Sequence, residues 1–313
     1  MRNNLILVTG ATGFVGSHLC SRLKTENREL RCSERNRFSI ENSVVVGDIG
    51  PDTPWGEALP NVYTVVHLAA RAHIMKDEVP DPLEEYRKVN VDGTLNLARQ
   101  AAEAGVKRFI FISSIKVNGE QTPLNEPFTE EHTPAPEDAY GISKLEAEQG
   151  LQKLASETGM EVVIIRPPLV YGPGVKGNFA TLLRLVEKGL PLPLGAVHNK
   201  RSLVALDNLV DLIVACIDHP AAANQVFLAG DGEDLSTTEL LRGVAKAMDK
   251  PARLIPVPAG MLMFGATLLG KKAVAQRVLG SLQVDISKAR DVLGWEPRIN
   301  VETGLKKAIM ERR

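Results

Sequence analysis

Residues 5–16 read LILVTGATGFVG, and this stretch decides the fold. Leu5–Val8 is a run of four branched apolar residues, short enough for a buried strand and closed at once by a glycine turn. Gly10, Gly13 and Gly16 follow at three-residue intervals, and from Phe14 to Leu23 apolar residues recur at helical spacing. Strand, glycine turn and helix in that order make a phosphate cradle. The first glycine permits the tight turn, the second lets a pyrophosphate approach the backbone, and the third packs the helix on the strand. The helix N-terminus adds unpaired N–H groups and the positive end of its dipole. Thr12, Phe14 and Val15 share the turn and are expected to touch the dinucleotide with the three glycines.

Outward from this motif, short apolar runs at Val44–Val46, Val62–Leu68, Arg108–Ile112 and Glu161–Ile165 read as buried strands. Amphipathic patterns over Glu84–Ala104 and Tyr140–Thr158 read as long helices between them. Alternation of helices with almost wholly apolar strands predicts an α/β fold, a Rossmann-type doubly wound parallel sheet covered on both faces. After Arg166 prolines and glycines crowd the chain and elements shorten to a helix near Asn208–Asp218, a strand near Gln225–Leu228 and a helix near Glu239–Met248. Ser236 and Glu239 have the spacing of a capping box for the last of these. The expected division is a dinucleotide-binding domain over 1–166 and a smaller, mostly helical substrate region over 167–313, interleaved with the end of the sheet.

Composition narrows the partners. The 313 residues carry 37 basic and 38 acidic side chains, a balance that gives no support to nucleic-acid binding. Cys20, Cys32 and Cys216 form no CxxC and read as reduced thiols in a cytoplasmic protein, with no metal site. Met261–Leu269 is apolar but falls short of the roughly 18 residues that a membrane span requires, so a packed core helix and no span are expected.

The strand ends carry the candidate chemistry. Glu34, near the end of the second strand, favours the ribose hydroxyls of NAD, whereas Arg35 and Arg37 favour the phosphate of NADP, so both cofactors stay open. Asp48 and Ile49 are placed to reach the adenine edge. Tyr140 and Lys144 lie four apart on one helix face, where a cationic lysine would favour the phenolate. Ser113 and Ser114 end the preceding strand, and a hydroxyl there can bond the reacting oxygen. His73 and His198 stand alone and read as structural or surface residues.

With these motifs in order, the chain resembles the extended short-chain dehydrogenase/reductase superfamily, nearest its nucleotide-sugar epimerase/dehydratase branch. The resemblance rests on TGATGFVG at 9–16, GDI at 47–49, HLAA at 67–70, Asn90, SSIKVNGE at 113–120, YGISK at 140–144, RPPLVYGPG at 166–174, RSLVALDN at 201–208 and DISKARDVLGWEP at 285–297. It implies Tyr140 as the acid/base, Lys144 on the nicotinamide ribose and lowering the Tyr140 pKa, and Ser114 as the catalytic hydroxyl. It implies a cofactor lining of His67, Leu68, Ala69, Ala70 and Pro167, and a structural Asn90. Asn178 and Arg201, with Arg277 as a second phosphate ligand, match positions that hold a nucleotide diphosphate.

Departures from the branch narrow the reaction. The Asp-Glu pair that dehydratases carry after the catalytic Ser/Thr is replaced by Ile115 and Lys116, which excludes dehydration. Asn118 replaces the usual tyrosine before Gly119, implying an altered sugar pocket. What remains is NAD- or NADP-dependent hydride transfer at C4 of a UDP-sugar. The first expectation is reduction of a UDP-4-keto-6-deoxy-N-acetylhexosamine for surface polysaccharide, with a UDP-hexose 4-epimerase close behind. A non-catalytic dinucleotide sensor is disfavoured because Ser114, Tyr140 and Lys144 are all kept. Reduction of a steroid or flavonoid ketone suits Asn178 and Arg201 less well. Relatives often pair through two long helices each, so a homodimer is also expected.

Overall fold

The computed structural model describes residues 4–36, 42–72 and 80–310; Arg37, His73 and the side chain of Asn178 lie outside the described residues. In chain order the strands are β1 (Leu5–Thr9), β2 (Leu30–Glu34), β3 (Ser43–Val45), β4 (Val62–His67), β5 (Arg108–Ile112), β6 (Glu161–Arg166), β7 (Leu169–Tyr171), β8 (Arg201–Ala205), β9 (Val226–Leu228) and β10 (Asp234–Leu235). Seven of them form one sheet in the order β3-β2-β1-β4-β5-β6-β9, every neighbouring pair parallel. The order reverses on either side of β1, which opens a crevice at the carboxyl ends of β1 and β4, where α/β sheets bind ligands.

The helices are α1 (Phe14–Thr25), α2 (Pro82–Arg87), α3 (Thr94–Glu103), α4 (Ala139–Thr158), α5 (Gly177–Glu187), α6 (Leu206–Asp218), α7 (Thr237–Ala247), α8 (Ala259–Leu268), α9 (Lys272–Leu279), α10 (Ser287–Leu293) and α11 (Val301–Met310). Strand alternation explains the two layers. Ile6 and Val8 of β1 pack with Leu19 and Leu23 of α1 and Leu209 and Ile213 of α6. Leu7, between them, points to the opposite face and packs with Leu97 of α3 and Leu151 of α4. Each such side chain contributes about 1.5–3 kcal/mol when fully buried.

The helix expected over residues 84–104 is continuous in path but not in pitch. A wider π turn over Lys88–Gly93 separates α2 from α3. At its end a Cβ on Gly93 would lie 2.7 Å from Ile49 Cγ2, so the bare backbone lets this turn lean on the Asp48–Gly50 loop.

The later chain returns to the large sheet through β9, where Ile164 pairs with Val226. It also builds a three-stranded sheet, β10-β8-β7, that the sequence pattern did not announce. Its core joins Tyr171, Leu203 and Ala205 to Phe179 and Leu183 of α5, Leu241 and Val244 of α7, and Leu305 of α11. The capping box forms: Ser236 Oγ accepts from Glu239 N at 3.1 Å and Glu239 Oε2 accepts from Ser236 N at 2.7 Å. One expectation fails. The helix that takes up most of Met261–Leu269, α8, is not a packed core helix, because none of its residues is fully buried. All three cysteines are buried and free, with Cys20 and Cys32 sulfurs 3.7 Å apart.

Candidate active site

The glycine turn is built by close backbone approach. Gly10 adopts φ +67° and a Cβ there would sit 2.8 Å from the Ala69 nitrogen; a Cβ on Gly16 would sit 2.1 Å from the Gly10 carbonyl oxygen. Gly13 begins α1 with no side-chain cap and no acidic residue follows in the first turn, so the N–H groups of Phe14, Val15 and Gly16 face the crevice mouth without a competing anion. Thr12 is exposed there, and Leu68, Ala69 and Ala70 form the half-buried wall after β4. This cradle, which any side chain would fill, fits a dinucleotide pyrophosphate.

Glu34 is buried at the end of β2. Arg35 next to it is exposed and pairs with Asp48 at 2.9 Å, while Ile49 is half-buried behind them. The structure therefore gathers Glu34, Arg35, Asp48 and Ile49 at one rim. Thr53 Oγ1 donates to the Asp48 carbonyl at 2.8 Å and steadies that loop.

His67 departs from expectation. It does not line the crevice but is buried inside, its Nδ1 meeting Thr9 Oγ1 at 2.8 Å and its Nε2 meeting Thr94 Oγ1 at 3.0 Å. Burial, with the nearby Lys144 charge, pushes its pKa down to about 3, so the ring is a neutral strut between β1 and α3. Asn90 is a second strut. From the π turn its amide accepts from Arg71 N at 2.8 Å and donates to the Arg71 carbonyl and to Ser143 Oγ, the latter at 3.0 Å.

Ser114 ends β5's approach to the crevice and caps a 3-10 turn over Ile115–Val117, its Oγ accepting from Lys116 N at 3.2 Å. Ser113 Oγ is buried with no hydrogen-bond partner among the described residues. Pro167, buried after β6, accepts from Ile115 N at 3.0 Å and so fixes the start of that turn. Helix α4 is pressed against the same turn: a Cβ on Gly141 would lie 2.9 Å from the Lys116 carbonyl. Ser114 and Tyr140 thus stand on adjoining elements.

Lys144 does not stand as expected. Its Nζ donates to the Ile112 carbonyl at 2.8 Å and lies 4.3 Å from the Phe111 ring centroid, against 5.9 Å from that of Tyr140. Burial pushes the Lys144 ammonium down to about 7, opposed by the Glu148 carboxylate one turn on. Burial, the Asp138 charge and Tyr86 push the Tyr140 hydroxyl up from the ordinary phenol range. The net direction is therefore upward, set by burial, rather than the lowering expected from Lys144. Four-residue spacing puts the two on one face, but the lysine reaches back to β5 for a carbonyl.

Lys116 is neither free nor simply solvated. It pairs with Glu120 at 2.9 Å and with Asp138, which also caps α4 by accepting from Gly141 N at 2.7 Å. Asn118 is buried and bonded within the protein. Its Oδ1 accepts from Arg166 Nη1 at 3.0 Å and its Nδ2 donates to the Thr129 carbonyl at 3.0 Å. Arg166 also forks onto the buried Glu148, with Nε–Oε1 at 3.0 Å and Nη2–Oε2 at 2.5 Å. Arg201 and Arg277 are brought together: Arg201 Nη1 donates to the Arg277 and Gly280 carbonyls at 3.0 and 3.1 Å, and the exposed Arg277 lies 3.9 Å from Glu120. His198 is exposed, as a surface residue should be.

Sequence reasoning missed Tyr86, whose ring meets Tyr140 edge-on at 6.0 Å, and Asp138. Asp138 had a readable signal, since an Asp just ahead of a helical pattern is an N-cap. Tyr86 had none, because its partner lies on another element.

A parallel sheet with a glycine phosphate cradle at its switch point defines a Rossmann-type dinucleotide-binding fold. The chain belongs to the NAD dependent epimerase/dehydratase family, whose model matches residues 6–230. It is 53% identical over 305 residues to a UDP-glucose 4-epimerase of Vibrio cholerae, covering 96% of this chain and 93% of that protein. It is 31% identical over 265 residues to an N-acetyl-α-D-glucosaminyl-diphospho-ditrans,octacis-undecaprenol 4-epimerase of Escherichia coli O157:H7, covering 83% and 78%. Among solved structures, a UDP-glucose 4-epimerase of Thermotoga maritima with UDP-glucose superposes with TM-score 0.77 at 26% identity, covering 99% and 98%.

Proposed function

We propose that the protein is a UDP-sugar 4-epimerase that uses NAD or NADP. The observation that carries this reading is the placement of Ser114 and Tyr140 on packed neighbouring elements at the crevice, with Ile115 and Lys116 where a dehydrating enzyme needs carboxylates. The Vibrio cholerae relative supports epimerisation over the 4-keto-sugar reduction that the sequence favoured first.

When bound, the nicotinamide supplies the hydride acceptor and donor. Tyr140 takes the proton from the sugar O4 as the 4-keto sugar forms and returns it when C4 is reduced on its other face. Ser114 bonds the same oxygen. Lys144, half-neutral near pH 7 because it is buried, gains charge when an anion or ribose hydroxyls are placed against it. Arg201 and Arg277 hold the substrate diphosphate, and the remote nucleotide anchors the sugar so that C4 meets the nicotinamide.

Exposed Arg35 beside Glu34 keeps a second reading in play, an NADPH-dependent 4-keto-sugar reductase using the same three groups. The experiment is incubation with UDP-glucose, UDP-galactose and their N-acetyl counterparts, following both product ratio and reduced nicotinamide. Interconversion without net redox change is expected, and Tyr140→Phe should lower turnover about 10²- to 10⁴-fold while leaving dinucleotide binding intact. Stoichiometric oxidation of NADPH by a UDP-4-keto-6-deoxy sugar, with no interconversion, would replace the epimerase by the reductase.

A further inference from the structure

Helix α8 is apolar around its whole circumference, yet none of its residues is fully buried and its outer side faces solvent. Met261, Phe264, Leu268 and Leu269 are 66–74% exposed, and Val274 at the start of α9 is 58% exposed. A helix of such composition normally lies inside a protein or a bilayer. Clustered large apolar side chains in water mark a surface that something covers.

The surrounding charge says what covers it. From residue 250 to 284 the chain has no Asp or Glu, while Lys250, Arg253, Lys271, Lys272 and Arg277 all fall in that stretch, in a protein of net charge -1. Lys250 and Arg253 are exposed and spend hydrogen bonds on the Glu187 and Gly189 carbonyls, at 2.7 and 3.4 Å, which leaves their charge uncompensated. Lys271 and Lys272, exposed at the C-terminal end of α8, form no ion pair among the described residues. Arg277 is drawn toward Glu120 and counts for less. Exposed apolar side chains framed by bare cations complement an anionic lipid surface: acyl chains for Phe264 and Leu268, headgroup phosphates for the lysines.

Dimensions give the mode. Ten residues of helix span about 15 Å, half of the roughly 30 Å hydrocarbon core, and no helix among the described residues is long and apolar enough to cross a membrane. The helix therefore lies in the plane of the interface. We propose that α8 and the start of α9 seat this protein on the surface of an anionic lipid bilayer. Because the last turn of α9 carries Arg277, whose carbonyl Arg201 holds, seating the hairpin brings the diphosphate end of the crevice close to the headgroups.

The full-length protein is floated with vesicles of phosphatidylglycerol mixed with phosphatidylcholine, and with phosphatidylcholine alone. Binding to the anionic vesicles that weakens with added salt is expected. Phe264→Glu with Leu268→Glu should lower partition roughly 100-fold or more on the anionic vesicles. Lys271→Gln with Lys272→Gln should lower it about 25-fold on the anionic vesicles and little on the neutral ones. Since Phe264, Leu268, Lys271 and Lys272 are all exposed, both variants should keep wild-type dinucleotide affinity, which also shows that they are folded. Failure of the wild type to bind anionic vesicles overturns the proposal, as does undiminished binding by Phe264→Glu/Leu268→Glu. A dimer that dissociates in that variant, with no vesicle binding by the wild type, would assign the face to a second copy of the chain and likewise overturn it.

Discussion

The glycine-turn side and the three-stranded-sheet side of this protein hold their shapes by different means. Around the glycine turn the positions are set by backbone touching backbone, with Gly10, Gly13 and Gly16 within contact distance of one another or of Ala69. Neutral struts, His67 and Asn90, tie the layers behind them. Around the three-stranded sheet the ties are carboxylates that gather donors from several elements. Asp231 accepts from Ala205 N at 2.8 Å, Asn208 Nδ2 at 2.7 Å and Tyr171 Oη at 2.8 Å. Asp234 of β10 accepts from Ser202 Oγ at 2.5 Å and from Gln283 Nε2 at 2.7 Å. Close backbone approach leaves room for one small residue and is intolerant of change. A carboxylate hub can be rearranged donor by donor, so it tolerates change more readily.

Four substitutions probe this contrast. Gly16→Ala places a methyl against the Gly10 carbonyl, with backbone on both sides and nothing flexible to yield. It should lower dinucleotide affinity by about 100-fold or more and destabilise the fold by about 3 kcal/mol, read by titration calorimetry and urea unfolding. Near-normal affinity would mean that the cradle is softer than the contrast requires. Asp231→Ala leaves three buried donors without an acceptor and should cost about 3 kcal/mol in urea unfolding. A cost below about 1 kcal/mol would show that water replaces the hub.

His67 gives the contrast a pH signature. Its folded pKa is about 3 against 6.5 for an ordinary imidazole, so the unfolded chain binds the extra proton and stability falls as pH drops below 6.5. Between pH 6.5 and about 4.5 this residue accounts for about 2 kcal/mol of that loss. His67→Asn should flatten the stability profile there by that amount, and an unchanged profile would refute the neutral strut. Ser236→Ala removes one half of the capping box on α7 and should cost about 1 kcal/mol. This is the smallest effect, because the freed N–H groups at a helix end are the easiest for water to satisfy.

Much of the fold could be read in advance wherever cause and effect lie close in the chain. The glycine spacing from Gly10 to Gly16, the apolar strands and the Ser236–Glu239 box are all encoded within a few residues. The placement of the candidate site was legible to the same extent: Ser114 and Tyr140 lie on elements packed against one another. Partners far apart in sequence were not legible. Nothing in the stretch around Lys116 announces Asp138, and nothing beside Asn118 announces Arg166. Lys144 shows the same limit, since spacing fixes the helix face but not which acceptor a long side chain chooses. Helix α8 shows another: an apolar run demands cover, but its composition does not say that the cover comes from the same chain.

The π turn at Lys88–Gly93 carries a consequence for how this enzyme can change. One surplus residue in a turn advances everything after it by about 100° around the axis. The stripe of α2 that meets Tyr140 and the stripe of α3 that covers the sheet are consequently out of phase by one position. Trimming a single residue from the turn would restore an unbroken spiral at no local cost in hydrogen bonds. It would also rotate one half against the other, turning Thr94 from His67 or Tyr86 from Tyr140. The insertion works as a clutch between the half that meets Tyr140 and the half that covers the sheet, and drift in chain length is forbidden there even though drift in side chains is not.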